Sequence, residues 1–98
     1  MKAKEFNGKY GNFLEEGHYG LAIDIPDIVD FLNEIFKDLV RIHDFKYMQI
    51  KVKFGYARFY AKGITADMTY MIENRLNQIL KVYEEEQEIR TKNNTPPQ

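Results

Sequence analysis

The stretch Lys51-Val52-Lys53-Phe54-Gly55-Tyr56-Ala57-Arg58-Phe59-Tyr60 constrains this chain more than any other, because apolar and polar side chains alternate on both sides of a glycine. A strand repeats its side-chain direction every second residue, so the alternation predicts a β-hairpin with one buried and one exposed face. A two-residue turn at Gly55-Tyr56 sets Phe54 opposite Ala57, Val52 opposite Phe59 and Ile50 opposite Ala61, apolar on apolar throughout. The other face then pairs Lys53 with Arg58, Lys51 with Tyr60 and Gln49 with Lys62. Like charges directly across a ladder destabilise it unless an anion sits between them, so an acidic group is expected to approach this face.

With 98 residues, 44% of them hydrophobic and 14% aromatic, the chain can bury one core and is expected to fold as one domain over residues 1–90, with a disordered tail at 91–98. A formal net charge of −1 leaves no global field to attract nucleic acid, and any affinity for polyanions must come from a local patch. Such a patch exists in sequence. Lys46, Lys51, Lys53, Arg58 and Lys62 make the centre of the chain basic, whereas Glu84, Glu85, Glu86 and Glu88 gather near its end. The chain has no cysteine, which removes disulfides, thiolate metal sites and cysteine nucleophiles together and fits a reducing cytoplasm. The charged start Met1-Lys2-Ala3-Lys4-Glu5 has no apolar run behind it, and no stretch approaches the roughly 20 apolar residues of a membrane span. The expectation is a cytoplasmic chain with no membrane partner.

Residues 2–17 mix Gly8, Gly11 and Gly17 with Phe6, Tyr10 and Phe13, a pattern of turns with aromatic anchors that reads as a packed loop or irregular strand. In residues 18–25, Tyr19, Leu21, Ile23 and Ile25 alternate with more polar or smaller side chains, as in a half-buried strand. Pro26 suits the first turn of a helix and Asp27 complements its dipole. Over residues 27–42, Ile28, Phe31, Leu32, Ile35, Leu39 and Ile42 recur at helical spacing, with Val29, Phe36 and Val40 widening the stripe. After the hairpin of residues 47–62, Thr65 can cap a second helix whose stripe is Met68, Met71, Ile72, Leu76, Ile79, Leu80 and Tyr83. The fold class is therefore α+β, two layers, in the order helix, β-hairpin, helix. Both helices are expected to cover the face made by Met48, Ile50, Val52, Phe54 and Phe59. A lone hairpin is marginal in water, so either residues 18–25 add an N-terminal strand or a second subunit completes the sheet as a homodimer.

At the hairpin and the helix after it the chain resembles a family of small proteins of unknown function encoded by bacteriophages, prophages and bacteria. The resemblance is carried by Lys51, Lys53-Phe54-Gly55, Arg58-Phe59-Tyr60, Gly63, Ala66-Asp67 and Tyr70-Met71-Ile72, with a looser likeness at Gly17-His18-Tyr19-Gly20. It departs from the family at Val52, where an acidic residue is common, and at Tyr56, where a second glycine is common. It also lacks a tryptophan and a cysteine-rich, zinc-ribbon-like tail. The resemblance implies a mobile-element origin, hence a host-cell cytoplasm, and a compact α+β domain. It implies no activity and no metal.

The candidate binding residues are Lys51, Lys53, Arg58, Tyr60, Lys62 and Tyr56, with Tyr47 beside them. Arginine and lysine grip phosphate while tyrosine stacks on a base, as single-strand and nucleotide binders do. The other reading is a solvated sheet face whose cations are neutralised by Glu73 or the acidic helix end. His18 and His43 have no serine or cysteine nucleophile anywhere in the chain to serve, so no catalytic residue and no cofactor are expected. Asp24, Asp27, Asp30 and Glu34 read as the solvated side of a helix, not as a metal site. The functional expectation is a non-enzymatic binding protein that engages a host protein or nucleic acid in the manner of a host-takeover or anti-defence inhibitor. A nucleotide sponge and a structural assembly component are the alternatives.

Overall fold

The computed structural model describes residues 1–94. The chain runs through helix α1 (Ala3–Lys9), a 3₁₀ turn (Gly11–Phe13), strand β1 (Gly20–Leu21), helix α2 (Pro26–Leu39), strands β2 (Lys46–Lys53) and β3 (Tyr56–Lys62), and helix α3 (Ala66–Asn94). The three strands form one sheet in the order β1-β2-β3, with β1 parallel and β3 antiparallel to β2. The fold is α+β, and the helix, hairpin, helix order of the sequence reading holds for α2, β2-β3 and α3. The third strand comes from residues 18–25, shortened to Gly20–Leu21, so the sheet needs no second subunit to reach three strands.

The hairpin turn lies one residue earlier than expected. Lys53 pairs with Tyr56, Lys51 with Arg58 and Ile50 with Phe59, which makes Phe54-Gly55 the two-residue loop. Both loop residues have positive φ, 53° at Phe54 and 81° at Gly55, as a type I′ turn requires. Moving the turn by one residue moves the pairing by two, which leaves every side chain on its original face; alternation alone does not separate the two registers. Met48 is then an extra residue, because Tyr47 pairs with Ala61 while Gln49 pairs with Tyr60. This bulge puts Tyr47, not Met48, into the core. The expected apolar face is further corrected at its tip, where Val52 is exposed and Phe54 is 89% exposed.

All three helices contribute to one core on one side of the sheet. Phe36 of α2 is its hub, with ring centroids 4.8 Å from Phe6, 5.1 Å from Tyr10, 5.4 Å from Phe45, 5.1 Å from Tyr47 and 6.3 Å from Phe59. Val29 and Phe36, at the margin of the stripe read from sequence, lie at its buried centre with Ile28, Leu32 and Leu39. Among the described side chains of α3, Leu76 and Leu80 are buried, whereas Met71 faces solvent. Thr65 caps α3 as expected, its Oγ1 accepting the Met68 N–H at 3.1 Å. Beyond Leu80, α3 continues for about 20 Å at the usual helical rise. It passes the expected boundary at residue 91 and reaches Asn94; residues 95–98 of the expected tail lie outside the described residues.

Residues 3–9 form a helix where a loop or irregular strand was expected. Seven residues are too few to be helical alone. Here the Asp24 carboxylate accepts the Ala3 N–H at 2.9 Å and Phe6 is fully buried, so partners distant in sequence supply both the cap and the packing.

Two asparagines close the sheet edges. Asn77 of α3 accepts the Ala57 N–H with Oδ1 at 2.7 Å and donates from Nδ2 to the Ala57 carbonyl at 3.2 Å. One turn earlier, Glu73 accepts the Phe59 N–H at 3.0 Å. On the opposite edge, Asn7 accepts the Leu21 N–H at 2.9 Å and donates to the Leu21 carbonyl at 2.9 Å. Gly20, at φ 78°, makes room for this contact: a Cβ there would sit 2.5 Å from Asn7 Oδ1. Each side-chain amide thus stands in for the peptide of a missing strand.

Asn77→Ala strands a backbone donor and acceptor and is expected to cost about 1–3 kcal/mol in urea unfolding, against little change for the exposed neighbour Asn74→Ala. Tyr47 gives a second test. Burial pushes its phenol up to about 12, while the unfolded chain ionises it near 10. Its contribution is therefore intact below about pH 10 and lost as pH rises toward 12. Tyr47→Phe should flatten the fall in stability across that window in urea unfolding at several alkaline pH values.

Candidate functional site: the open face of the sheet

With the helices on one side, the other side of β2 and β3 is open. β3 is an edge strand whose alternate residues Ala57 and Phe59 are buried, so Tyr56, Arg58, Tyr60 and Lys62 point away from the core. Across from them β2 presents Lys53 opposite Tyr56, Lys51 opposite Arg58 and Gln49 opposite Tyr60. The like-charge opposition expected from sequence is present, with Lys51 in place of Lys53 as the partner of Arg58.

The rings and cations on this face touch one another. Lys51 Nζ lies 5.9 Å from the centre of the Tyr60 ring, Arg58 Cζ lies 5.9 Å from that of Tyr56, and Lys53 Nζ lies 5.7 Å from that of Phe54. At exposed sites such contacts contribute only about 0.5–1 kcal/mol. They orient the cations without neutralising them. Among the described residues, no carboxylate pairs with Lys51, Lys53 or Arg58. Glu73, expected as a neutraliser, instead accepts the Phe59 N–H at the sheet edge.

Lys62 differs from the other candidates. It bonds Glu15 at 2.9 Å, and its ammonium holds the Glu15 carboxyl below the usual carboxylate range. Lys46 donates to the Asn12 carbonyl at 2.9 Å. The lower end of the basic segment is thus tied to the loop before β1, and the free cations lie toward the hairpin tip. Tyr47, read from sequence as part of this face, is in the core and donates to Asn7 Oδ1 at 3.2 Å.

The sequence reading placed Gln49 on this face but missed two contributors beside it, His18 and Tyr19. Gln49 sits between the Tyr19 hydroxyl, which donates to its Oε1 at 3.3 Å, and His18 Nδ1, 3.3 Å from its Nε2. Tyr19 is 51% exposed, so it extends the aromatic surface beyond the hairpin. These residues come together only because β1 lies alongside β2, a pairing with no local signal. A shallow cleft of about 180 Å³ is lined there by His18, Met48, Gln49, Lys51 and Tyr60.

The remaining titratable candidates are dispersed. His43 and Asp44 form an exposed contact at 3.4 Å. Asp24 caps α1, Asp30 lies 3.6 Å from the Met1 amine, and Glu34 bonds Lys37 at 2.9 Å. A larger hollow of about 530 Å³ runs between the hairpin tip and α3, where Lys81 and Glu84 both line it, so it carries no net preference for an anion. No helix among the described residues is long and apolar enough to cross a membrane.

Because the Lys62 ammonium holds the Glu15 carboxyl down, Lys62→Ala should move the Glu15 titration up toward the ordinary carboxylate range, as followed by NMR. Comparison with protein-family models, curated proteins and solved structures found no match to this chain.

Proposed function

We propose that this chain is a non-enzymatic binding protein whose open sheet face engages an anionic macromolecule. The observation that carries the reading is the Lys51–Arg58 pair: two cations placed directly opposite each other, with Lys53 beside them and, among the described residues, no carboxylate paired with them to relieve the repulsion. A ligand that brings negative charge to that row lowers the energy of the protein as well as its own. The hairpin's resemblance to phage- and prophage-encoded proteins supports placing the partner in a host cell, where such binding serves takeover or anti-defence.

A nucleotide sponge has less support. The cleft beside Lys51 and Tyr60, at about 180 Å³, is below the roughly 300–1,000 Å³ usual for small-molecule sites, so a whole nucleotide would need a second protomer to enclose it. An open, flat, cationic surface suits an extended partner better.

Heparin chromatography tests the reading. Despite a net charge of −1, the protein should be retained at low salt and elute as salt rises. Lys51→Glu combined with Arg58→Glu should flow through, whereas Lys2→Glu just before α1 combined with Lys4→Glu in its first turn should elute like the parent. Equal elution of all three would identify the face as inert, as in an assembly component.

A further inference from the structure

We propose that the anionic partner is single-stranded nucleic acid, its phosphates held by the Lys51–Arg58 row and its bases stacked on Tyr56 and Tyr60. This rests on reading the sheet face as an anion-binding surface and names the class of ligand.

The order of residues along the face carries the inference. On β3 the outward side chains read Tyr56, Arg58, Tyr60, each about 6.8 Å from the next because successive outward residues are two apart. The Lys51–Arg58 row therefore lies between a row that pairs Tyr56 with Lys53 and one that pairs Tyr60 with Gln49. An acidic protein segment would satisfy Lys51 and Arg58 but make no use of the two tyrosine rings, whose residues are 60% exposed at Tyr56 and 41% at Tyr60. A strand with unstacked bases uses both, since every base offers a π-face and every nucleotide a phosphate. The rings are already oriented by the cations beside them, which lowers the ordering cost on binding. Next to Tyr60, the Gln49 amide and His18 ring line a cleft of about 180 Å³, suited to one base and bearing hydrogen-bonding groups for its edge. Glu84, Glu85 and Glu86 lie on α3 beyond Leu80, and among the described residues no ion pair joins them to these cations; Glu84 comes nearest, lining the hollow beside Tyr56.

Fluorescence anisotropy with a labelled oligo(dT) strand, an abasic strand of equal length and the corresponding duplex tests this, with heparin and polyglutamate as competitors. Oligo(dT) should bind at least about tenfold more tightly than the abasic strand, since each stacked base adds to affinity. Tyr60→Leu should lose that advantage while leaving the abasic strand unaffected, and Tyr60→Phe, which keeps the ring, should retain it. Arg58→Ala should weaken both strands. With three phosphate contacts the affinity should fall roughly 20-fold between about 50 and 200 mM salt. Unchanged thermal unfolding of these surface variants separates loss of binding from loss of fold. Equal binding of oligo(dT) and abasic strand, tighter binding of the duplex, or displacement of the strand by polyglutamate at lower concentration than by heparin would overturn the inference and leave the anion-binding reading standing. No binding of any polyanion would overturn both. A dimer in light scattering that Arg58→Ala dissociates would identify a second copy of the chain as the occupant and overturn the nucleic-acid assignment.

Discussion

A three-stranded sheet whose outer strand is two residues long survives only if its edges find hydrogen-bond partners, and in this protein two asparagine amides provide them. Asn7 on α1 bonds both peptide groups of Leu21, and Asn77 on α3 bonds both peptide groups of Ala57. A carboxamide has one donor and one acceptor at nearly the separation of a strand's own N–H and C=O, so it ends the ladder without another strand. The contacts also fix geometry. They hold α1 against β1 and set α3 alongside β3 at the register where Glu73, one turn before Asn77, reaches the Phe59 N–H.

With every helix committed to one side, the core forms there around Phe36 and the opposite face is left without a covering layer. That arrangement decides the electrostatics. Carboxylates available to neutralise the hairpin are used elsewhere: Glu73 at the sheet edge, Asp24 at the start of α1, and Glu15 at Lys62. Lys51, Lys53 and Arg58 are left facing solvent with tyrosine rings beside them. A chain with a net charge of −1 thus presents a cationic, aromatic surface on one face, and the acidic part of α3 meets the hairpin tip only where Glu84 and Tyr56 line one hollow.

Much of the fold could be read from local pattern. Pro26 with Asp27, Thr65 with Asp67, and the alternation across Gly55 marked the beginnings of α2 and α3 and the hairpin, because caps, dipoles and strand period act within a few residues. The site was readable to the same extent. Lys51, Arg58, Tyr56 and Tyr60 share a face by strand periodicity alone. The failures came where partners distant in sequence decide. Seven residues at the N-terminus are helical because Asp24 caps them and Phe36 receives Phe6. Tyr47 displaces Met48 from the core because a bulge lets its ring meet Phe6 and Phe36 while its hydroxyl reaches Asn7.

The sequence by itself determined α2, the hairpin and α3, and which residues of the hairpin share a face, since these follow from periodicities of 3.6 and 2 that a stretch of chain carries within itself. Only the tertiary structure decided the register of the hairpin, the burial of Tyr47, the partnership of Lys62 with Glu15 and the addition of His18 and Tyr19 to the open face. Shifting a strand by two residues preserves its faces, so local pattern is blind to the choice. The edge bonds from Asn77 and Glu73 and the space around Phe36 favour one register over the other.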